Sequence, residues 1–180
     1  MTSSRTGAAS PAKVQQLYEE AVAAYGPALK RLSRAYESDS ERRRDLLQDI
    51  HMALWESLGR FDGRCTLGTW VYRVAHNTAT SKCIRKRSDR GQLVSIEDID
   101  LRDQSPNPER AVDEQRALER VMALAQQLQP LDRQVLLLYL EGLDAQAAGE
   151  VVGLSAANVA TKIHRIKKVL VQRFHEGGNR

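Results

Sequence analysis

At 180 residues the chain is long enough for one medium domain or two small ones, and its 42% hydrophobic content allows a buried core. Aromatics make up only 5%, so that core is expected from Leu, Val, Ile and Ala, a composition that favours helix. The two cysteines, Cys65 and Cys83, have no CxxC spacing and no second pair, which argues against a zinc site and for reduced thiols in a cytoplasmic protein. MTSSRTGAASPAK contains no apolar run, and no stretch approaches the ~20 apolar residues of a membrane span, so neither a signal peptide nor stable membrane insertion is expected.

The net charge of +4 is unevenly distributed. Lys82, Arg85, Lys86, Arg87 and Arg90 form one basic cluster; Lys162, Arg165, Lys167, Lys168 and Arg173 form another. Between them lie Glu97, Asp98, Asp100, Asp103 and Glu109. Two basic patches flanking an acidic stretch suggest two contacts with a polyanion, although solvated helix faces would give the same composition.

In chain order, Ser10-Pro11 has the form of an N-cap with Pro at the first helical position. Val14, Leu17, Val22, Tyr25, Leu29, Leu32 and Tyr36 then keep one helical face apolar. Gly26-Pro27 interrupts this pattern and predicts a kink or break. A second helix is expected from Ser38–Ser40 to Leu58, with Leu46, Leu47, Ile50, Leu54 and Leu58 inward and Gly59 as its stop. After the loop GRFDGRCT, a third helix is expected from Leu67 to Arg87, burying Trp70, Val71, Val74 and Thr78.

Periodicity fails between Ser88 and Glu109, and a gap of that length marks a flexible linker between domains. The second domain is expected from Arg110. Leu118, Val121, Met122, Ala125 and Leu128 line a helix ending before Pro130, and Leu131–Glu141 form another. DAQAAGEVV (144–152) is a short helix capped by Asp144, Gly153 supplies a left-handed turn residue, and Ser155 caps a last helix reaching Phe174.

The strongest local signal is that short helix, glycine turn and basic helix, the pattern of a helix-turn-helix. Val159, Ile163, Ile166 and Leu170 repeat as a core face. Ser155, Asn158, Thr161, Lys162, Arg165 and Lys168 are then available for phosphates and base edges. A helical pair with a merely solvated basic face fits the same pattern.

The chain resembles the sigma-70 family of bacterial RNA polymerase sigma factors, in its extracytoplasmic-function (ECF) branch. LQPLDRQVLLLYLEGLDAQAAGEVVGLSAANVATKIHRIKKVL is similar to region 4, the −35 reader. It departs from the family at Ala147, Ala148 and Gly149, where Glu-Ile-Ala is usual, which predicts a weaker local core. RRDLLQDIHMALW resembles the polymerase-binding helix of region 2 at Asp45, Leu46, Gln48, Asp49 and Trp55. Asp45, Gln48 and Asp49 lie at i, i+3 and i+4 as one polar stripe, which suits a protein partner because carboxylates repel phosphate. FDGRCTLGTWVYRVAHNTATSKCIRKR is similar to the −10-binding part, with Arg73, Asn77 and Thr80 on one face, His76 as a surface donor, and Arg85 and Lys86 continuing the cationic track.

The resemblance implies an all-α protein of two small helical domains, a region 2 bundle at 11–87 and a region 4 helix-turn-helix at 110–174, joined by linker 88–109. The implied partners are core RNA polymerase (the β′ clamp and the β flap), promoter DNA and an anti-sigma protein. A helix-turn-helix regulator acting without polymerase remains the alternative. No Gly-rich phosphate loop, metal-ligand spacing or catalytic triad is present in the sequence, so no enzyme activity and no cofactor is expected.

Overall fold

The computed structural model describes residues 10–85, 93–99 and 114–174, with side chains described to Lys82 in the first stretch and from Leu118 to Gln172 in the last. The architecture is all-α. The N-terminal bundle comprises α1 (Pro11–Tyr36), α2 (Ser40–Leu58) and α3 (Leu67–Arg85). The C-terminal bundle comprises α4 (Glu114–Gln127), α5 (Pro130–Leu140), α6 (Ala145–Val152) and α7 (Ala156–Phe174).

The Ser10 side chain accepts from the Lys13 amide and Pro11 occupies the first turn, as expected. The helix does not break at Gly26-Pro27: α1 is one helix of 26 residues with Pro27 inside it. Pro27 has no N–H for the carbonyl four residues back, at a cost of about 3 kcal/mol in a helix interior. It lies on the exposed side, as does Ala23, whose carbonyl is the one concerned, and Ala21, Ala28, Leu29 and Leu32 bury the other side across the glycine-proline pair. Burial on both sides of the proline outweighs the local penalty.

Asp39 caps α2 through the Glu41 and Arg42 amides, and these hydrogen bonds, that of Arg42 foremost, hold its carboxyl below the usual carboxylate range. Leu46, Ile50, Leu54 and Leu58 are buried. α3 buries Val71, Tyr72, Ala75, His76 and Ala79 instead of the predicted stripe through Trp70, Val74 and Thr78. The shift follows from α3 being covered on several sides, by α1 and α2 and again by α6. Trp70 is a half-buried strut: its indole N–H donates to Ser57 Oγ at 3.1 Å, and its ring meets Phe61 edge-on.

The C-terminal bundle follows its sequence pattern except at Leu118, which is 40% exposed. Asp144 accepts from the Ala147 amide at 2.8 Å, Gly153 is left-handed (φ 76°), and Ser155 accepts from the Asn158 amide. The departure at Ala147–Gly149 does not loosen this unit. The Leu154 carbonyl lies so close to Gly149 that an added Cβ would sit 2.7 Å from its oxygen, and the Gly149 carbonyl accepts from the Gly153 and Leu154 amides. Alanine gains about 1 kcal/mol over glycine in helix propensity, but here it must displace backbone. We expect Gly149→Ala to destabilise the protein by about 1–2 kcal/mol, read as a lower melting temperature. An unchanged or raised melting temperature would show that the turn adjusts freely.

The two bundles pack against each other, α1 on α4 and α3 on α6. Arg31 forms a forked pair with Glu141 at 2.6 and 2.7 Å, and the Glu141 hydrogen bond raises the guanidinium pKa against the opposing effect of burial. Gln126 donates to the Arg34 carbonyl, and Gln134 donates to Thr80 Oγ1. The described part of the predicted linker, 93–99, lies on the C-terminal bundle. Val94 exchanges backbone hydrogen bonds with Gln127 and Gln129, Ile96–Asp98 form a 3-10 turn, and the Ile96 side chain is fully buried.

Candidate nucleic-acid and partner interfaces

On α2 the structure divides the predicted polymerase-binding set. Asp45 and Gln48 are exposed and occupy one edge of the helix. Leu46 is 2% exposed and packs with Ile50 and Leu54, so it is a core residue and is removed from the interface set. Asp49 is half-exposed and paired with the Lys82 ammonium of α3. The exposed edge continues through Met52 and Trp55, 54% and 44% exposed, at i+7 and i+10 from Asp45. Of this apolar continuation Trp55 was named from the sequence but Met52 was not, although the 3.6-residue period carries both. Trp55 is steadied edge-on by Tyr18, whose hydroxyl meets His51 Nδ1 at 3.0 Å. An acid, an amide, a thioether and an indole in one row have the composition of a protein-binding strip.

On α3, Asn77 is exposed, whereas Arg73 donates to the Glu150 carbonyl of α6. Thr80 bridges Tyr36 and Gln134. His76 requires correction. It is 1% exposed, with Nδ1 3.2 Å from the Tyr36 hydroxyl, and therefore presents no donor to solvent or DNA. Its polarity suggested the surface, but it lies four residues after Tyr72 and three before Ala79, both buried, and so shares their face. The Arg85 side chain and all of Lys86 lie outside the described residues.

On α7 the open face carries Ala157, Asn158, Thr161, His164 and Lys168, all exposed, with Ser155 at its N-terminal edge. His164 was missed in sequence although it shares this face with Thr161 and Lys168. Lys167 reaches over the Tyr139 ring at 5.5 Å. Lys162 and Arg165 turn to the other edge. Lys162 Nζ meets Asp132 at 2.7 Å and Glu97 at 3.0 Å. Burial alone lowers the pKa of this ammonium, but hydrogen bonds to Asp132 and Glu97 outweigh it and raise the pKa above its ordinary value. The Arg165 guanidinium donates to the carbonyls of Ile96, Glu97 and Ile99. Asp132 was not anticipated as a site residue. It is 2% exposed and also accepts from Ser95 Oγ and the Ile96 amide.

The family model for Sigma-70 region 2 matches residues 21–89, and that for Sigma-70 region 4 matches residues 118–170. Among curated relatives, the RNA polymerase sigma factor NccH of Alcaligenes xylosoxydans xylosoxydans is 28% identical over 163 residues, 87% of this chain and 86% of that protein. The ECF RNA polymerase sigma factor SigX of Bacillus subtilis is 26% identical over 136 residues, covering 73% of this chain and 70% of SigX. The chain belongs to the sigma-70 family, in its ECF branch.

Solved structures share the fold of this sigma factor. CnrH in complex with the cytosolic domain of CnrY superposes with a TM-score of 0.63 at 22% identity, covering 90% of each chain. RpoE in complex with the anti-sigma factor NepR from Bartonella quintana gives 0.61 at 20% identity, covering 86% of this chain and 94% of RpoE. The sigma factor directs core RNA polymerase to promoter DNA and initiates transcription. Among the described residues no helix is long and apolar enough to cross a membrane, and no three His, Cys, Asp or Glu side chains converge as a metal site.

Proposed function

We propose that this sigma factor divides its work by surface. The Asp45–Gln48–Met52–Trp55 edge of α2, with Asp49 beside it, docks on the β′ clamp of core polymerase. The face of α7 from Ser155 through Asn158, Thr161 and Lys168 enters the −35 major groove, and α3 with Asn77, Arg73, Thr80, Arg85 and Lys86 holds the −10 strand. The α2 edge carries this reading. It is exposed, mixed in polarity and held in place by Tyr18, and a duplex-binding regulator has no use for an acidic strip of this kind.

Promoter opening under this reading needs no covalent step. Binding energy for an unstacked strand drives it, with cations along the backbone and an amide near the base. The site of action is the cytoplasm, where polymerase and promoter meet. The C-terminal bundle adds a contact to the β flap, and an anti-sigma protein is a further partner, as NepR is for RpoE, which shares the fold.

The test is run-off transcription with purified core polymerase on a panel of promoters, alongside separate binding assays for core and for duplex DNA. Gln48→Ala with Asp45→Ala is expected to weaken core binding about tenfold and leave duplex binding unchanged. Asn158→Ala with Lys168→Ala is expected to do the reverse. Equal losses in both assays, or failure to bind core polymerase stripped of its own specificity subunit, would sink the division of labour.

A further inference from the structure

Two of the cations predicted for the −35 contact are already occupied by the protein itself. Arg165 donates to three backbone carbonyls, those of Ile96 and Glu97 at 3.3 Å and of Ile99 at 2.7 Å. Lys162 pairs with one carboxylate from the same segment and with Asp132 from α5. A phosphate would offer these side chains the same chemistry, a cluster of anionic or strongly dipolar oxygens within hydrogen-bond reach. The segment is chemically suited to stand in for DNA, because its tip is acidic at Glu97 and Asp98 and the sequence continues acidic through Asp100 and Asp103.

The contact has two parts of different strength. At its base, Val94 is hydrogen-bonded on both sides by the backbone around Leu128, the Ile96 amide is fixed on Asp132, and the Ile96 side chain is buried in the bundle. At its tip, Glu97 is 64% exposed in its side chain and pairs with Lys162. The acidic tip at Glu97 and Asp98 faces solvent between buried Ile96 and half-buried Ile99, so it is the part of the segment that opens at least cost.

We propose that the turn 97–99, hinged on buried Ile96, is an intramolecular ligand of the promoter-reading helix: it holds Lys162 and Arg165 until duplex DNA displaces it. This rests on α7 being the DNA-binding helix. The linker then lowers the affinity of the factor for DNA. A promoter must outcompete both the carboxylate of Glu97 and the carbonyls of Glu97 and Ile99, a requirement that weak phosphate binding at arbitrary sequence meets less often than a full −35 contact.

The experiment uses the full chain, labelled with nitrogen-15, titrated with a random-sequence 25-base-pair duplex at low salt and then with duplexes selected for binding. The expected result is that the amides of Glu97, Asp98 and Ile99 and the Arg165 Nε–H change environment as DNA saturates, while the Val94 and Ile96 amides stay protected from exchange. Glu97→Gln, which removes one exposed charge and leaves the anchor intact, is expected to bind duplex about threefold more tightly. Saturation with DNA while the 97–99 and Arg165 signals stay unmoved would make the turn a permanent part of the domain and overturn the proposal alone. Equal or weaker binding by Glu97→Gln would overturn it as well. If neither the parent chain nor the variant binds any duplex, the promoter-reading role of α7 falls first and the proposal falls with it.

Discussion

Replacing Arg133 with Leu is expected to unfold the C-terminal bundle under conditions where the parent chain is folded. Arg133 is 4% exposed, and its guanidinium donates to the carbonyls of Ala125, Gln126 and Leu128, the last turn of α4 and the residue beyond it. Those groups end a helix, where the regular i to i+4 donors run out; the Ala125 carbonyl also accepts from the Leu128 amide at 3.3 Å. The same guanidinium stacks 4.8 Å over the Tyr36 ring of α1, so it also joins the two bundles. Leucine would fill much of the volume but remove all three guanidinium hydrogen bonds from this helix end, a loss of about 3–5 kcal/mol. A helical unit of this size holds only a few kcal/mol of stability by itself. Urea denaturation followed by far-ultraviolet circular dichroism should lose the C-terminal helices at low denaturant. Arg133→Lys should not rescue them, because an ammonium lacks the planar fork needed to reach all three carbonyls. A midpoint within error of the parent would show that water replaces the guanidinium without cost.

The second large effect is a loss of stability in mild acid. Burial pushes the His76 imidazole down to about 3, so it stays neutral in the folded protein. In the unfolded chain it takes up a proton near its ordinary value of about 6.5. Between those values the unfolded state binds the extra proton, so stability rises with pH. The contribution is complete above about pH 6.5 and is lost as pH falls towards 3. From pH 7 to pH 5 the loss is about 2 kcal/mol, in a window where carboxylates remain largely ionised. His51, also lowered by burial and by Lys30, adds to the slope in the same direction. Urea midpoints at pH 7 and pH 5 test this, with His76→Gln, which keeps a partner for the Tyr36 hydroxyl, as the control. The glutamine variant should show a much flatter change; equal pH dependence in both proteins would place the acid sensitivity elsewhere.

Local chemistry made much of the molecule legible in the sequence. Asp144, Gly153 and Ser155 each act on their own neighbours, so the helix-turn-helix could be read before any tertiary contact was known. The α2 core stripe was legible for the same reason, since its residues repeat at the helical period. What escaped depended on partners distant in sequence. His76 is a polar residue on a helix, and the Tyr36 hydroxyl that partners its ring comes from forty residues earlier. Lys162 and Arg165 looked free because the segment that engages them has no periodicity, its single deeply buried side chain being Ile96 among acids. The helix runs unbroken through Pro27 because the proline's penalty is local and the burial that offsets it is not.

The contact at Gly149 has a consequence for how such a factor can change its target. The angle between α6 and α7 is fixed where one main chain rests on another, without an intervening side chain. Residues on the outward surface of α7 can therefore vary without tilting the rod that presents them. New promoter preferences can arise by exchanging a few outward groups, while the scaffold keeps the same pose in the groove.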